Sequence, residues 1–362
     1  MWRSILLFFL CFASVSAQTC QMRLAEGADV LEVQVQEQVL ALTPEQLPKL
    51  TERASADDIQ AQCILGVAYQ RGTIVSHDDA EAIKWLMRAA NHGIAWVQNA
   101  LGSMYRRGAG VTLDYSEAVK WFRSAAEQHY PAAADNLGYM YLNGKGVAKD
   151  YAPAHWYAIG AAQGYTPAQN NLAQFYEHGI GVHKDYTAAL NLYRQAAQKG
   201  LASAQNNLGA MYEAGLGVSK DYNEAVKWYR LSAEQAEPVG QSNLAFMYAH
   251  GQGVQLNFSE AAKWYTQAAG SGYAPAQGRL AQLCETGQGV PLDYVAAYSW
   301  YARAASGGHE ASKHAIALLS QRMTSKQLEA ARSRLLNQEH AEEPPGGVMV
   351  EKKLPGQQWP NK

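Results

Sequence analysis

A phrase of the form L-[GA]-x-x-Y-x-x-G-x-G-V recurs along this chain at a nearly constant step. Its leading leucines are Leu65, Leu101, Leu137, Leu172, Leu208, Leu244 and Leu280, spaced 36, 36, 35, 36, 36 and 36 residues apart. Each phrase is followed by a second one, clearest in the DYSEAVKWFRSAAEQ run from Asp114 and the DYNEAVKWYRLSAEQ run from Asp221. A period in this range defines units too small to bury an apolar face alone, so the units must stack on one another. One repeat array, rather than two ordinary globular domains, is therefore expected from the 362 residues.

Within a unit the residues specify two helices. Val97, Leu101, Met104 and Tyr105 share one face at helical spacing. Gly108 and Gly110 then stop this helix A, because glycine takes positive φ at no steric cost. Asp114 with Glu117 three residues on reads as an acidic N-cap answered by Glu at N3, and Asp78/Glu81, Asp221/Glu224 and Asn257/Glu260 repeat it. Helix B is expected to bury Ala118, Trp121, Phe122, Ala125 and Ala126. The short step falls between Asp150 and Trp156, where Pro153 would occupy the tolerant first turn of a helix capped by Asp150.

The pattern A-x-x-x-L-G-x-M-Y-x-x-G-x-G-V followed by D-Y-x-E-A-x-K-W-Y-R-x-A-A-E-Q-G resembles the Sel-one-like repeat, a short relative of the tetratricopeptide repeat. Seven copies cover about residues 58 to 308, and Ala311 to Leu319 resembles a partial eighth helix A. The first copy departs from the loop pattern, with Gly72-Thr73-Ile74-Val75. The resemblance implies an all-α fold: a right-handed superhelical solenoid of stacked antiparallel helix pairs, with A helices on the concave side. It also implies protein-binding or scaffold roles and, in bacteria, frequent export.

The ends differ from the array. Arg3, the nine-residue apolar run Ile5 to Ala13 and Val15-Ser16-Ala17 read as a signal peptide cleaved after Ala17. A retained anchor is the competing reading, but the run is too short to span a bilayer as a helix. Periplasmic or secreted localisation follows. Residues 18–56 form an N-terminal segment with a capping helix from about 43 to 54, opened by Thr43-Pro44-Glu45-Gln46; Val30 to Val39 shows no decisive period. The solenoid is placed at 57–322. A capping helix at 323–341 carries Leu328, Arg332, Leu335 and Leu336 on its face, and the Pro-, Gly- and charge-rich tail 342–362 reads as disordered.

Composition narrows the function classes. The net charge of −2 supplies no basic face for nucleic acid and no polybasic membrane anchor. No Ser-x-x-Lys is present, His309-Glu310 meets Lys313 where a zincin needs its second His, and no Cys or His pair has zinc spacing. The glycine loops lack the Lys-Ser/Thr of a phosphate cradle. No catalytic residue, metal or cofactor is therefore assigned, and the chain reads as non-enzymatic. The sequon Asn257-Phe258-Ser259 is explained by the N-cap role of Asn257. Cys11 leaves with the signal, and Cys20, Cys63 and Cys284 remain. Cys63 falls on the outward side of its helix and Cys284 in the buried tyrosine column. A Cys20–Cys63 disulfide with Cys284 as a buried free thiol is expected.

Two aromatic columns read as core. They are Trp85, Trp121, Trp156, Trp228, Trp264 and Trp300 on helix B, and Tyr69, Tyr105, Tyr141, Tyr176, Tyr212 and Tyr248 on helix A. The opposite side of helix A is the candidate site. At 100° per residue, positions two before, two after and five before the column leucine lie about 160°, 200° and 220° from it. They place Trp96, Tyr139 and Phe246 outward as ligand contacts, with Asn99, Asn170 and Asn206 as hydrogen-bonding partners. The expected function is an exported adaptor or scaffold that binds a protein or peptide on its concave surface, host-interaction roles included. A cell-envelope scaffold contacting peptidoglycan or an assembly complex is the alternative. A β-lactam-binding or hydrolysing enzyme is disfavoured, because the relatives described in that role carry a regular cysteine pair per repeat that this chain lacks.

Overall fold

The structure is a computed structural model that describes residues 30–149 and 153–342. The signal-peptide reading, Cys20, the Asp150 cap and the tail beyond Glu342 lie outside the described residues. Among those described, every regular element is helical. The chain divides into two compact units, Met1–Lys199 and Gly200–Lys362. In the first, α1 (Val30–Ala41), a 3-10 turn (Pro44–Gln46) and α2 (Leu47–Ser55) precede four helix pairs. These are α3 (Ile59–Arg71) with α4 (Asp79–Asn91), α5 (Ala95–Arg107) with α6 (Tyr115–Glu127), α7 (Pro131–Asn143) with α8 (Pro153–Ala162), and α9 (Thr166–His178) with α10 (Tyr186–Gln198). The second holds three pairs: α11 (Ala202–Ala214) with α12 (Tyr222–Glu234), α13 (Pro238–His250) with α14 (Phe258–Gly270), and α15 (Ala274–Thr286) with α16 (Tyr294–Ser306). Then come α17 (Glu310–Arg322) and α18 (Ser325–Glu342). Within each unit the helices of a pair pack together, and each B helix packs on the next A helix. This is an all-α solenoid of stacked helix pairs.

Local chemistry sets the helix ends. Asp221 Oδ1 accepts from the backbone N–H of Asn223 at 2.9 Å and of Glu224 at 3.1 Å. Asp78, Asp114 and Asp185 cap their helices in the same way. The N3 glutamates do not reach back to close a capping box. Glu81, Glu117 and Glu224 pair forward with Lys84, Lys120 and Lys227, the ordinary surface pairing one helical turn along. Thr43 does receive its box, with its N–H donating to Gln46 Oε1 at 3.0 Å.

The two glycines of the loop have different jobs. Gly251 ends α13 at φ +63°, donating its N–H to Met247 O. Gly253, at φ +67°, lies so close to the preceding B helix that a Cβ there would meet Tyr222 O at 2.2 Å. Gly110, Gly146 and Gly289 stand in the same relation to Asp79, Tyr115 and Phe258. The second glycine is therefore the place where backbone meets backbone between repeats. The first repeat has Ile74 at that position because no B helix of an earlier repeat lies beside it.

The core is displaced by one residue from the tryptophan column. Trp85 is buried, but Trp121, Trp156, Trp228, Trp264 and Trp300 are only half-buried. The fully enclosed aromatics are their successors, Phe122, Tyr193 and Tyr229, with Tyr157 and Tyr265 close behind. The tyrosine column of helix A is half-buried too. Burying the flat successor ring against helix A leaves the larger indole at the edge of the same groove, and three of these indoles lie against Lys or Arg side chains, at 5.2 Å for Trp85, 5.7 Å for Trp264 and 5.2 Å for Trp300. At the C-terminal end Leu319, Met323 and Ala331 join the buried cluster of the last pairs, with Leu328 packed against it; Arg332 is exposed.

A glutamine column, which no reading of apolar spacing exposes, ties several A helices to the helix that precedes them. Gln62, Gln98, Gln169, Gln241 and Gln277 are buried. Their Nε2 atoms donate to the last carbonyls of the preceding helix, Gln98 to Ala90 O at 3.2 Å and Gln277 to Ala269 O at 3.1 Å. Those carbonyls also accept a backbone N–H from the turn that follows, Gly93 on Ala90 O and Gly272 on Ala269 O, and the buried amide fills the second acceptor position of each.

Candidate functional site

The outward face of helix A exists, but two neighbours cover part of it. The first is α1, whose Val33, Val35 and Val39 are buried. It lies on the very positions that the helical wheel turns outward. Gln60 Nε2, five before Leu65, donates to Gln38 Oε1 at 2.9 Å, and Arg71 donates to Gln36. Cys63 and Val67, two before and two after Leu65, are buried, as is Trp96 in the next repeat. Trp96 is 4% exposed and shares a cluster with Val35 and Val39. Tyr130 donates its hydroxyl to Glu32 of α1 at 2.9 Å. The outward placement of Cys63 and Trp96 is thus corrected: their face is the right one, but the chain's own N-terminal helix occupies it. Cys284 is a buried free thiol whose pKa is pushed up by burial.

The second cover is the neighbouring A helix. Asn136 Nδ2 donates to Asn99 Oδ1 at 2.9 Å, Asn171 Nδ2 to Asp135 Oδ1 at 2.7 Å, and Asn243 Nδ2 to Asn206 Oδ1 at 2.8 Å. The position two before the leucine therefore bonds the next repeat. Asn170 and Asn206 are buried rather than open, a second correction, because side chains there turn into the seam between A helices. Asn206 also donates to Asn207 Oδ1 at 3.3 Å. Asn99 is half-buried in this ladder. Asp135 is its one ionisable member; burial, against the hydrogen bond from Asn171, pushes its carboxyl up to about 6.

The position two after the leucine is only partly covered beyond the first repeat. Tyr139, in the first unit, is half-exposed between two cations. Arg106 Cζ lies 5.9 Å from its ring centroid and Lys145 Nζ 5.6 Å. Phe246, in the second unit, is also half-exposed and stacks on His250 with centroids 3.9 Å apart. His250 Nδ1 lies 2.9 Å from Phe246 O, which holds the imidazole over the ring. Of the six expected contact residues, Tyr139 and Phe246 present aromatic surface, Asn99 borders it, and Trp96, Asn170 and Asn206 do not reach it.

Arg106 was not visible as a site residue from helical facing. A signal does exist in the column five after the leucine. That column holds Glu177, Glu213 and Glu285, each accepting the hydroxyl of the buried helix B tyrosine, from Tyr193 at 2.7 Å, Tyr229 at 2.5 Å and Tyr301 at 3.0 Å. The second repeat has Arg106 in the column and Phe122, which has no hydroxyl, on helix B. The exchange of a Tyr–Glu pair for Phe and Arg frees a cation for the next repeat.

These features describe a repeat solenoid with an adaptable A-helix face. The pattern that defines the Sel1 repeat matches residues 59–94, 97–130, 131–165, 166–201, 202–237, 238–273 and 274–309. The chain belongs to the Sel1 repeat family, whose solenoids typically serve as protein-interaction scaffolds. Among solved structures it is similar to a Sel1 repeat protein from Oxalobacter formigenes, at 30% identity over 67% of this chain and 96% of that one, with a TM-score of 0.62. It is also similar to c5321, a protective antigen present in uropathogenic Escherichia coli strains displaying an SLR fold, at 28% identity over 84% of this chain and 83% of that one, with a TM-score of 0.51. A comparison with curated proteins returned no match. No helix among the described residues is long and apolar enough to cross a membrane.

Proposed function

We propose that this chain is an exported, non-enzymatic adaptor that binds a protein or peptide on the open face of its A helices, with Tyr139 and Phe246 as contact residues in the two units. The observation that carries the reading is α1. It lies along the A-helix face of the first repeat, buries its valines there and exchanges side-chain hydrogen bonds with Gln60 and Arg71. The face thus accepts a helical segment by apolar burial plus polar pairing, the helix-in-groove mode of peptide recognition. The half-buried aromatics Tyr139 and Phe246, each on the A-helix face of its own unit, suit the anchor role in which interface energy concentrates. Export is supported by the Arg3, Ile5 to Ala13 and Val15-Ser16-Ala17 pattern and by the likeness to a protective antigen.

The test has two parts. Fractionation of the native host with N-terminal sequencing should find the chain outside the cytoplasm beginning at Gln18; a cytoplasmic chain beginning at Met1 refutes export. Crosslinking with mass spectrometry should then identify a partner that is lost in a Tyr139→Ala/Phe246→Ala double variant with an unchanged circular dichroism spectrum. A partner set indifferent to that variant removes the A-helix face as the site.

A further inference from the structure

Most cations of this chain are spoken for. Lys84, Lys120, Lys227 and Lys313 each pair with a glutamate three residues earlier, and Arg322 pairs with Glu285. Arg123 and Arg230 donate to the hydroxyls of Tyr141 and Tyr248, at 2.6 and 2.8 Å. Arg106 and Lys145 have no carboxylate partner. Among the described residues no ion pair is found at either one; Arg106 Nε is enclosed without a hydrogen-bond partner, and Lys145 hydrogen-bonds the hydroxyls of Tyr139 and Tyr115. Both converge on the ring of Tyr139, at 5.9 and 5.6 Å, and Lys145 Nζ also lies 5.0 Å from the Tyr115 ring.

The backbone holds this arrangement in place. Lys145 stands between Gly144 and Gly146, both at positive φ, and Gly146 abuts the carbonyl of Tyr115. The repeat-to-repeat joint therefore fixes where the lysine emerges. Asp135, one helical turn before Tyr139, gives its carboxylate to Asn171 and leaves the cations uncompensated. Two cations lie within 6 Å of one ring centroid, so Tyr139 orients charge here rather than offering a flat surface for a base or a sugar.

We propose that Arg106 and Lys145, oriented by Tyr139, form a carboxylate-binding site that takes an acidic side chain of a peptide lying on the A-helix face. This rests on the peptide-binding reading above and names the chemistry of the partner at one point of it. Arg106 offers a planar fork to a carboxylate and Lys145 a point charge beside it.

The test uses the full mature chain and fluorescein-labelled octaglutamate, read by fluorescence anisotropy. Binding should weaken as salt rises, and Arg106→Gln and Lys145→Gln should each weaken it about tenfold, the usual scale for a charge-assisted hydrogen bond. Lys120→Gln, which removes a cation already paired to Glu117, should change nothing. Indifference of octaglutamate binding to both Arg106→Gln and Lys145→Gln overturns the proposal. So does tighter binding of a single-stranded oligonucleotide through the same two residues. The crosslinked native partner separates this proposal from the broader one. A partner lost on Tyr139→Ala/Phe246→Ala but retained by Arg106→Gln/Lys145→Gln sinks the carboxylate site alone, and a partner retained by both sinks both.

Discussion

The second glycine of each loop should be the most sensitive exposed position in the molecule. Gly251 and Gly253 both have positive φ, at +63° and +67°, so an alanine at either carries the left-handed backbone penalty, about 1–2 kcal/mol. They differ in what a methyl would touch. At Gly251 the nearest atom is Leu256 Cβ at 3.4 Å, an ordinary contact. At Gly253 it is Tyr222 O at 2.2 Å, with Tyr222 C at 2.5 Å, and these are backbone atoms at the start of α12 that cannot rotate away. Relief requires the two repeats to part, which adds about 1–3 kcal/mol of overpacking cost. Gly251→Ala should therefore lose about 1–2 kcal/mol and Gly253→Ala about 2–5 kcal/mol. Gly272→Ala, at φ +83° with nothing within 4 Å, is the control for backbone strain alone. Urea unfolding followed by circular dichroism gives all three values. If Gly253→Ala loses no more than Gly251→Ala and Gly272→Ala, the backbone joint between repeats does not exist as described.

Two further outcomes follow from the core and from the asparagine ladder. Tyr229→Ala should cost about 3–5 kcal/mol, as large core truncations do, whereas Trp228→Ala, one residue earlier and half-buried, should cost about 1–2 kcal/mol; equal losses in thermal unfolding would contradict the placement of the core. The carboxyl of Asp135, raised by burial to about 6, holds its proton in the folded state while the unfolded chain has released it, so stability should fall as pH rises from about 4 to about 6 and stay low above. Asp135→Asn supplies the group already present at Asn99 and Asn206, still accepts from Asn171, and should gain about 1–3 kcal/mol at pH 7.5 but little at pH 4. A stability gap that does not change with pH between these values refutes the shift.

Much of the fold was legible because its determinants are local. A period of 36 residues, an Asp or Asn at each B-helix start and a glycine at each A-helix end act within one turn of chain, so seven repetitions of them leave one reading. The candidate face was legible in part. The helical wheel turned the right columns away from helix B, and Tyr139 and Phe246 lie half-buried there. It could not say what else would come to cover them. Val30 to Ala41 shows no clean apolar stripe, because its buried valines at 33, 35 and 39 meet a curved seam of two repeats rather than one flat partner.

What the sequence alone determined is thus the unit: two helices, their caps and the direction of the core leucine. What only the tertiary structure decided is the company each residue keeps. Trp228 and Tyr229 are adjacent and both aromatic, yet only the packing of α12 against its neighbours chooses which ring is enclosed. Trp96 is covered by a helix more than fifty residues earlier, and Asn206 by a side chain in the following repeat. Burial is a property of everything within a few ångströms, and a repeating pattern specifies its own surface without specifying what the rest of the chain lays upon it.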